Sequence, residues 1–150
     1  MITIYLSLGS NIGDRRKNIE KALSELEKNN IEKIRISSFY ETEPVGPKQR
    51  NFYNIAGKFG TSLSPIELLK TLKQIEKRLG RTKTYRWGPR VIDIDILFYG
   101  NEIINTKSLI IPHKEIQNRA FVLIPMKEIA PKFIHPKIHK QIITLCKEII

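Results

Sequence analysis

The stretch Arg86-Trp87-Gly88-Pro89-Arg90-Val91-Ile92-Asp93-Ile94-Asp95-Ile96-Leu97 changes character half-way. Its second half alternates strictly, which predicts a β-strand with Ile92, Ile94 and Ile96 on one face and Asp93 and Asp95 on the other. Two positions along a strand separate the Cα atoms by roughly 6.6 Å, and two carboxylates at that spacing can grip a divalent metal between them. Unneutralised, they would repel each other. Upstream, Arg86 and Arg90 bracket a rigid Trp-Gly-Pro turn. Carboxylates for a metal beside guanidinium groups for oxyanions suit a Mg²⁺-polyphosphate better than a bare salt bridge. An isolated Asp-x-Asp is more often an exposed edge strand paired with nearby arginines. The whole block reverses that preference.

Outward from this strand, periodicity gives an alternation of elements. Ile2 to Leu8 reads as a strand, followed by a Gly9-Ser10-Asn11-Ile12-Gly13-Asp14 turn and a helix with Ile19, Ala22, Leu23 and Leu26 as its buried stripe. A strand is expected over Ile34 to Tyr40 and another over Phe52 to Thr61. Ser64, Pro65 and Glu67 mark the start of a second helix as N-cap, first-turn proline and capping-box glutamate, and Gly80 ends it. After the Asp93/Asp95 strand come a short hairpin (Glu102 to Ile111), a helical stretch near Glu115 to Met126, and a last helix from about His139. The order βαββαβ plus additions implies an α+β fold with a ferredoxin-like core. Two helices cover one face of an antiparallel sheet, further C-terminal helices lie beyond it, and the whole is a three-layer α/β/α arrangement. That plan hosts enzymes and RNA-binding modules alike.

Composition sets the bounds. At 150 residues the chain is one domain, 1–150, and 41% hydrophobic with 27% charged residues is ordinary globular composition. The absence of a membrane-length apolar run or signal peptide, and a single cysteine, Cys146, at an apolar helical position, fit a cytoplasmic protein. Twenty-six Lys and Arg against fifteen Asp and Glu leave +11, a charge that attracts anions. Five arginines fall between Arg78 and Arg119, which points to a local anion site rather than a general coat.

Several blocks in register carry a family resemblance: Leu8-Gly9-Ser10-Asn11-x-Gly13-Asp14, Ser38-x-Tyr40-x-Thr42-x-Pro44-x-Gly46-Pro47, Phe52-x-Asn54, the Arg86–Asp95 block, Pro112-His113 and Asn118-Arg119-x-Phe121. Together they resemble the 6-hydroxymethyl-7,8-dihydropterin pyrophosphokinase family of folate biosynthesis. The resemblance implies transfer of the β,γ-diphosphate of ATP to the hydroxymethyl group of a reduced pterin, with AMP released. It also implies two Mg²⁺ ions held by Asp93 and Asp95. The phosphates would be held by Arg81, Arg90, Arg119 and His113, with Lys83 and Arg86 closing over the nucleotide and Ile96 and Ile110 lining its site. Arg81 and Arg90 would act in catalysis with the two aspartates. The pterin would lie between Phe52 and Phe121, read by Asn54, Thr42 and Val45, with Trp87 and Asp93 completing its site. ATP and the pterin would be the only partners of a monomer, with neither nucleic acid nor membrane involved.

Other residues have plainer expected roles. Glu76, on the apolar stripe of the second helix, is expected in an internal ion pair supporting the site. His135 and His139 are expected at the surface. The Gly9-Ser10-Asn11 turn lacks the Gly-Lys-Ser/Thr of a Walker A loop and is expected to shape a strand-to-helix junction. Lys114 departs from the family pattern beside His113. Two rival functions stand against the resemblance. An RNA-binding module of the same element order would need a basic-aromatic stacking pattern, which Phe52-Tyr53-Asn54-Ile55-Ala56-Gly57 lacks. Another Mg²⁺-dependent nucleotidyl or phosphoryl transferase is opposed only by the pterin-site residues.

Overall fold

The computed structural model describes residues 1–44, 48–80 and 89–149. Chain order is β1 (Ile2–Ser10), α1 (Arg15–Lys28), β2 (Ile31–Ile36), β3 (Tyr40–Thr42), β4 (Phe52–Thr61), α2 (Pro65–Arg78), β5 (Asp93–Tyr99), β6 (Ile104–Asn105), β7 (Ile110–Ile111), a 3-10 turn (Ile116–Asn118), α3 (Ala120–Ile129) and α4 (Ile142–Ile149). The main sheet has five strands in the order β2-β4-β1-β5, with β3 also on β4, and every pairing is antiparallel.

Alternation along the strands feeds two cores. Ile4, Leu6, Leu8, Ile55, Ile94 and Ile96 pack with Ile19, Ala22 and Leu26 of α1 and Leu68, Leu72 and Ile75 of α2. The opposite face sends Tyr5, Ala56, Leu97 and Phe98 against Val122, Leu123 and Met126 of α3 and Leu145 and Cys146 of α4. The expected capping box at Ser64 forms in full, a feature worth about 1 kcal/mol in an ordinary helix. Gly80 takes φ +98 just after α2, a conformation an L side chain resists.

Four expectations need correction. The strand expected over Ile34 to Tyr40 is two strands, β2 and β3, which pair with different halves of β4. Ser37 divides them: its Oγ accepts the Ala56 N–H and donates to the Ser38 carbonyl, so a side chain takes the place of a ladder partner. The stretch expected as one helix over Glu115 to Met126 is a 3-10 turn and α3, separated by Arg119 in an extended conformation (φ −122, ψ 97). Arg119 is the N-cap of α3, and its carbonyl accepts from Val122 and Leu123. The last helix starts at Ile142 rather than near His139, because His139 adopts φ 63 and bonds back to the His135 carbonyl. His135, expected at the surface, is 3% exposed. Its Nδ1 accepts the Lys137 and Ile138 N–H groups, and its ring meets Phe98 edge-on.

Candidate active site

Directly opposed residues of an antiparallel sheet share a face. One row crosses the sheet as Tyr40, Asn54, Gly9 and Asp93, and the next as Ala56, Ser7 and Asp95. An outer row pairs Thr42 with Phe52. Strand register thus lays Phe52, Asn54, Thr42, Asp93 and Asp95 on the face that α3 covers farther along, and α3 begins with Arg119 and Phe121.

Each side chain is held by neighbours that the fold supplies. Asn54 is buried and its Nδ2 donates to Thr42 Oγ1. Gly9 makes this possible, since a Cβ there would lie 2.7 Å from Asn54 Oδ1. Asp93 and Asp95 are both half-buried, side by side on β5, opposite Gly9 and Ser7. Beneath them, on the other face, the buried Glu76 accepts the Ile94 N–H at 2.7 Å, fixing α2 to the carboxylate strand. His113 follows the cis Ile111–Pro112 bond and donates its own N–H to the Leu97 carbonyl. Its Nδ1 accepts the Glu115 N–H, so the neutral ring carries its proton on Nε2. Burial, and then the Arg119 charge, push His113 below the usual histidine range, while Asp93 and Glu115 pull the other way. The Arg119 guanidinium carbon lies 5.5 Å from the Phe121 ring centre.

The segment before β4 is tied at its stem. Arg15 bonds Glu41 at 2.7 Å and the Asn51 carbonyl at 2.9 Å while its guanidinium stacks 3.8 Å from the Tyr53 ring centre. The buried Asn11 exchanges two hydrogen bonds with the Arg90 backbone, and its Nδ2 donates to Gln49 Oε1 and the Arg50 carbonyl. One residue therefore fixes both the Arg90 segment and the stretch leading into β4. No local pattern in the sequence marks Asn11, Gly9 or Arg15 as a site residue. The Gly-Ser-Asn turn was legible only as a junction, because the partners of Asn11 lie far along the chain.

Among the residues named from the sequence, the fold gathers Thr42, Phe52, Asn54, Asp93, Asp95, His113, Arg119 and Phe121 on one side of the sheet. Arg90 lies just before β5, its Nη1 donating to the Pro89 carbonyl. The Ile96 side chain points into the opposite core, and Ile110 is exposed on β7. Val45, Arg81, Lys83, Arg86 and Trp87 lie outside the described residues.

The donor set can be compared with what a metal needs. Among the described residues, no three or more His, Cys, Asp and Glu are grouped for a metal ion. Mg²⁺ is commonly held by one or two carboxylates, with substrate phosphates and water filling its remaining positions. Asp93 and Asp95 fit that requirement.

The family model for 7,8-dihydro-6-hydroxymethylpterin-pyrophosphokinase (HPPK) matches residues 5–131. The chain belongs to the HPPK family. It is 48% identical over 137 residues to the 2-amino-4-hydroxy-6-hydroxymethyldihydropteridine pyrophosphokinase of Aquifex aeolicus, covering 91% of this chain and 85% of that protein. The pyrophosphokinase of Haemophilus influenzae is 43% identical over 146 residues, covering 96% of this chain and 90% of its own. Folic acid synthesis protein FOL1 of Dictyostelium discoideum is 49% identical over 138 residues, but this chain spans only 21% of its length. A crystal structure of Plasmodium falciparum HPPK-DHPS superimposes with a TM-score of 0.76 at 18% identity, covering 99% of this chain and 43% of that one, a likeness of fold. As an HPPK, the chain is an enzyme, which removes the RNA-binding module from consideration.

Proposed function

We propose that this chain transfers the β,γ-diphosphate of ATP to the hydroxymethyl group of 6-hydroxymethyl-7,8-dihydropterin, as a single pyrophosphokinase domain acting as a monomer in folate biosynthesis. Membership of the HPPK family carries the reaction. The observation that supports the residue roles is the row Tyr40, Asn54, Gly9, Asp93, which sets an amide suited to a heterocycle edge beside a carboxylate suited to a metal. We also read the strand order, with β3 set aside, as a ferredoxin-like core.

In this reading the pterin lies between Phe52 and Phe121, with the donor and acceptor of Asn54 at its amino-pyrimidinone edge and Thr42 fixing that amide. Its hydroxymethyl oxygen attacks the β-phosphorus in line and gives up its proton to water. The bond from that phosphorus to the α,β-bridging oxygen breaks, and AMP leaves. The transition state spreads negative charge over phosphoryl oxygens, so catalysis is positioning plus electrostatics. Asp93 and Asp95 would hold two Mg²⁺ ions, which supply charge neutralisation and alignment of the phosphates. Arg90, Arg119 and the Nε2–H of His113 donate to the same oxygens. In the unliganded chain burial and the Arg119 charge disfavour protonation of this ring.

The carboxylate assignment is tested by Asp95→Asn. The turnover number is expected to fall about 10³-fold, roughly 4 kcal/mol of transition-state stabilisation, with an unchanged circular dichroism spectrum. Turnover near that of the unmodified chain at saturating Mg²⁺ would overturn it.

A further inference from the structure

The two walls of the groove beside the sheet belong to different parts of the chain. One is β3 with Tyr40 and Thr42. The other is the start of α3 with Arg119 and Phe121. The half-open groove between them holds about 320 Å³, and of the residues assigned to the pterin Thr42 and Phe121 line it while Phe52 and Asn54 do not. Its width depends on what joins β3 to α3, and a carboxylate joins them at the far end of that helix. Glu128 receives the Ser38 N–H on both oxygens at 3.0 Å and the Ser38 hydroxyl on Oε2 at 3.1 Å. Its Oε1 receives the Tyr40 hydroxyl at 2.5 Å.

We propose that Glu128, through Tyr40 and Ser38, is a positioning residue that sets the width of the pterin slot. Glu128 lies seven residues beyond Phe121, roughly 10 Å along the helix, so it acts at a distance from the substrate. Tyr40 stands opposite Asn54 in the sheet, and Thr42 bonds that same Asn54. The latch therefore ties the helix that brings Phe121 to the strand that holds the reading amide. Charge strengthens such bonds, since hydrogen bonds to an ionised acceptor are roughly twice as strong as neutral ones. The titrations agree with the geometry: the Tyr40 hydrogen bond, helped by those from Ser38, holds the Glu128 carboxyl below its usual range, and the same bond raises the Tyr40 phenol. The latch also explains why the chain between β2 and β3 leaves the sheet ladder, because the Ser38 N–H is directed to the helix.

This inference rests on the proposed reaction, and the test separates the two. Steady-state constants for pterin and MgATP, with thermal midpoints, are measured for the unmodified chain, Tyr40→Phe, Glu128→Ala and the double variant. Tyr40→Phe removes one hydroxyl and leaves the ring. The expected result is a rise of about fivefold or more in the KM for pterin in each single variant, with the KM for MgATP within about twofold. The double variant should be no worse than Glu128→Ala alone, as coupled residues are non-additive. An unchanged pterin KM in Tyr40→Phe, or equal rises for both substrates, would overturn the latch while leaving the reaction standing. Absence of AMP formation by the unmodified chain would overturn the reaction and the latch with it.

Discussion

Gly9 shows how one missing carbon shapes this site. It stands between Asn54 and Asp93 in the row, and a methyl there would sit 2.7 Å from Asn54 Oδ1. Relief would require turning the amide away from Thr42, so the residue proposed to read the pterin would lose its orientation. Gly9→Ala is therefore expected to weaken pterin binding by about tenfold, close to 1.4 kcal/mol, with MgATP affinity unchanged. Titration of each ligand separately by calorimetry measures this. Pterin affinity equal to that of the unmodified chain would show that Asn54 does not contact the pterin edge. Asp93 and Asp95 were legible from alternation alone, since period two fixes the shared face. Gly9 was not, because its role lies in a cross-strand register that no local pattern encodes.

Elements with strong local signals matched their sequences, and those decided by distant partners did not. The capping box, the stripe of α2 and the bounds of β4 all follow from residues within a few positions of each other. The split between β2 and β3 depends instead on Ser37 meeting Ala56 and Ser38 meeting Glu128. The turn before α4 is similar, and there the hidden element is His135. Its Nδ1 must be an acceptor to receive two backbone N–H groups, so the fold requires the ring neutral there. Burial, and then the Lys137 charge, lower its titration below the usual histidine value, with His139 adding in the same sense and its own backbone bond opposing. The unfolded chain binds the proton more readily, near pH 6.5. The stabilisation from neutral His135 is thus fully present above about pH 6.5 and is lost as pH falls through that value toward the folded titration. Asn can accept a hydrogen bond but does not titrate. The gap in thermal midpoint between the unmodified chain and His135→Asn should be larger at pH 8 than at pH 5.5. A gap independent of pH would contradict the assigned acceptor role.

At the scale of the whole molecule, the sheet has two faces with different tasks. One is closed by α1 and α2 and carries most of the aliphatic core. The other is closed by α3 and α4 along one part only, leaving a groove whose wall includes Thr42, the hydrogen-bond partner of Asn54. No helix among the described residues is long and apolar enough to cross a membrane. In the proposed reaction the charge of +11 would draw in a polyphosphate, and strand register would supply the carboxylates for its metal. These features converge on transfer of a diphosphate as one unit, so the identity of the nucleotide product is the decisive observation. The chain is incubated with MgATP and 6-hydroxymethyl-7,8-dihydropterin, and nucleotides are resolved by chromatography as the pterin is consumed. One AMP for each pterin diphosphate formed, with no ADP and no nucleotide turnover when the pterin is omitted, is the predicted result. ADP accumulating in step with pterin consumption, or ATP turnover indifferent to the pterin, would contradict it.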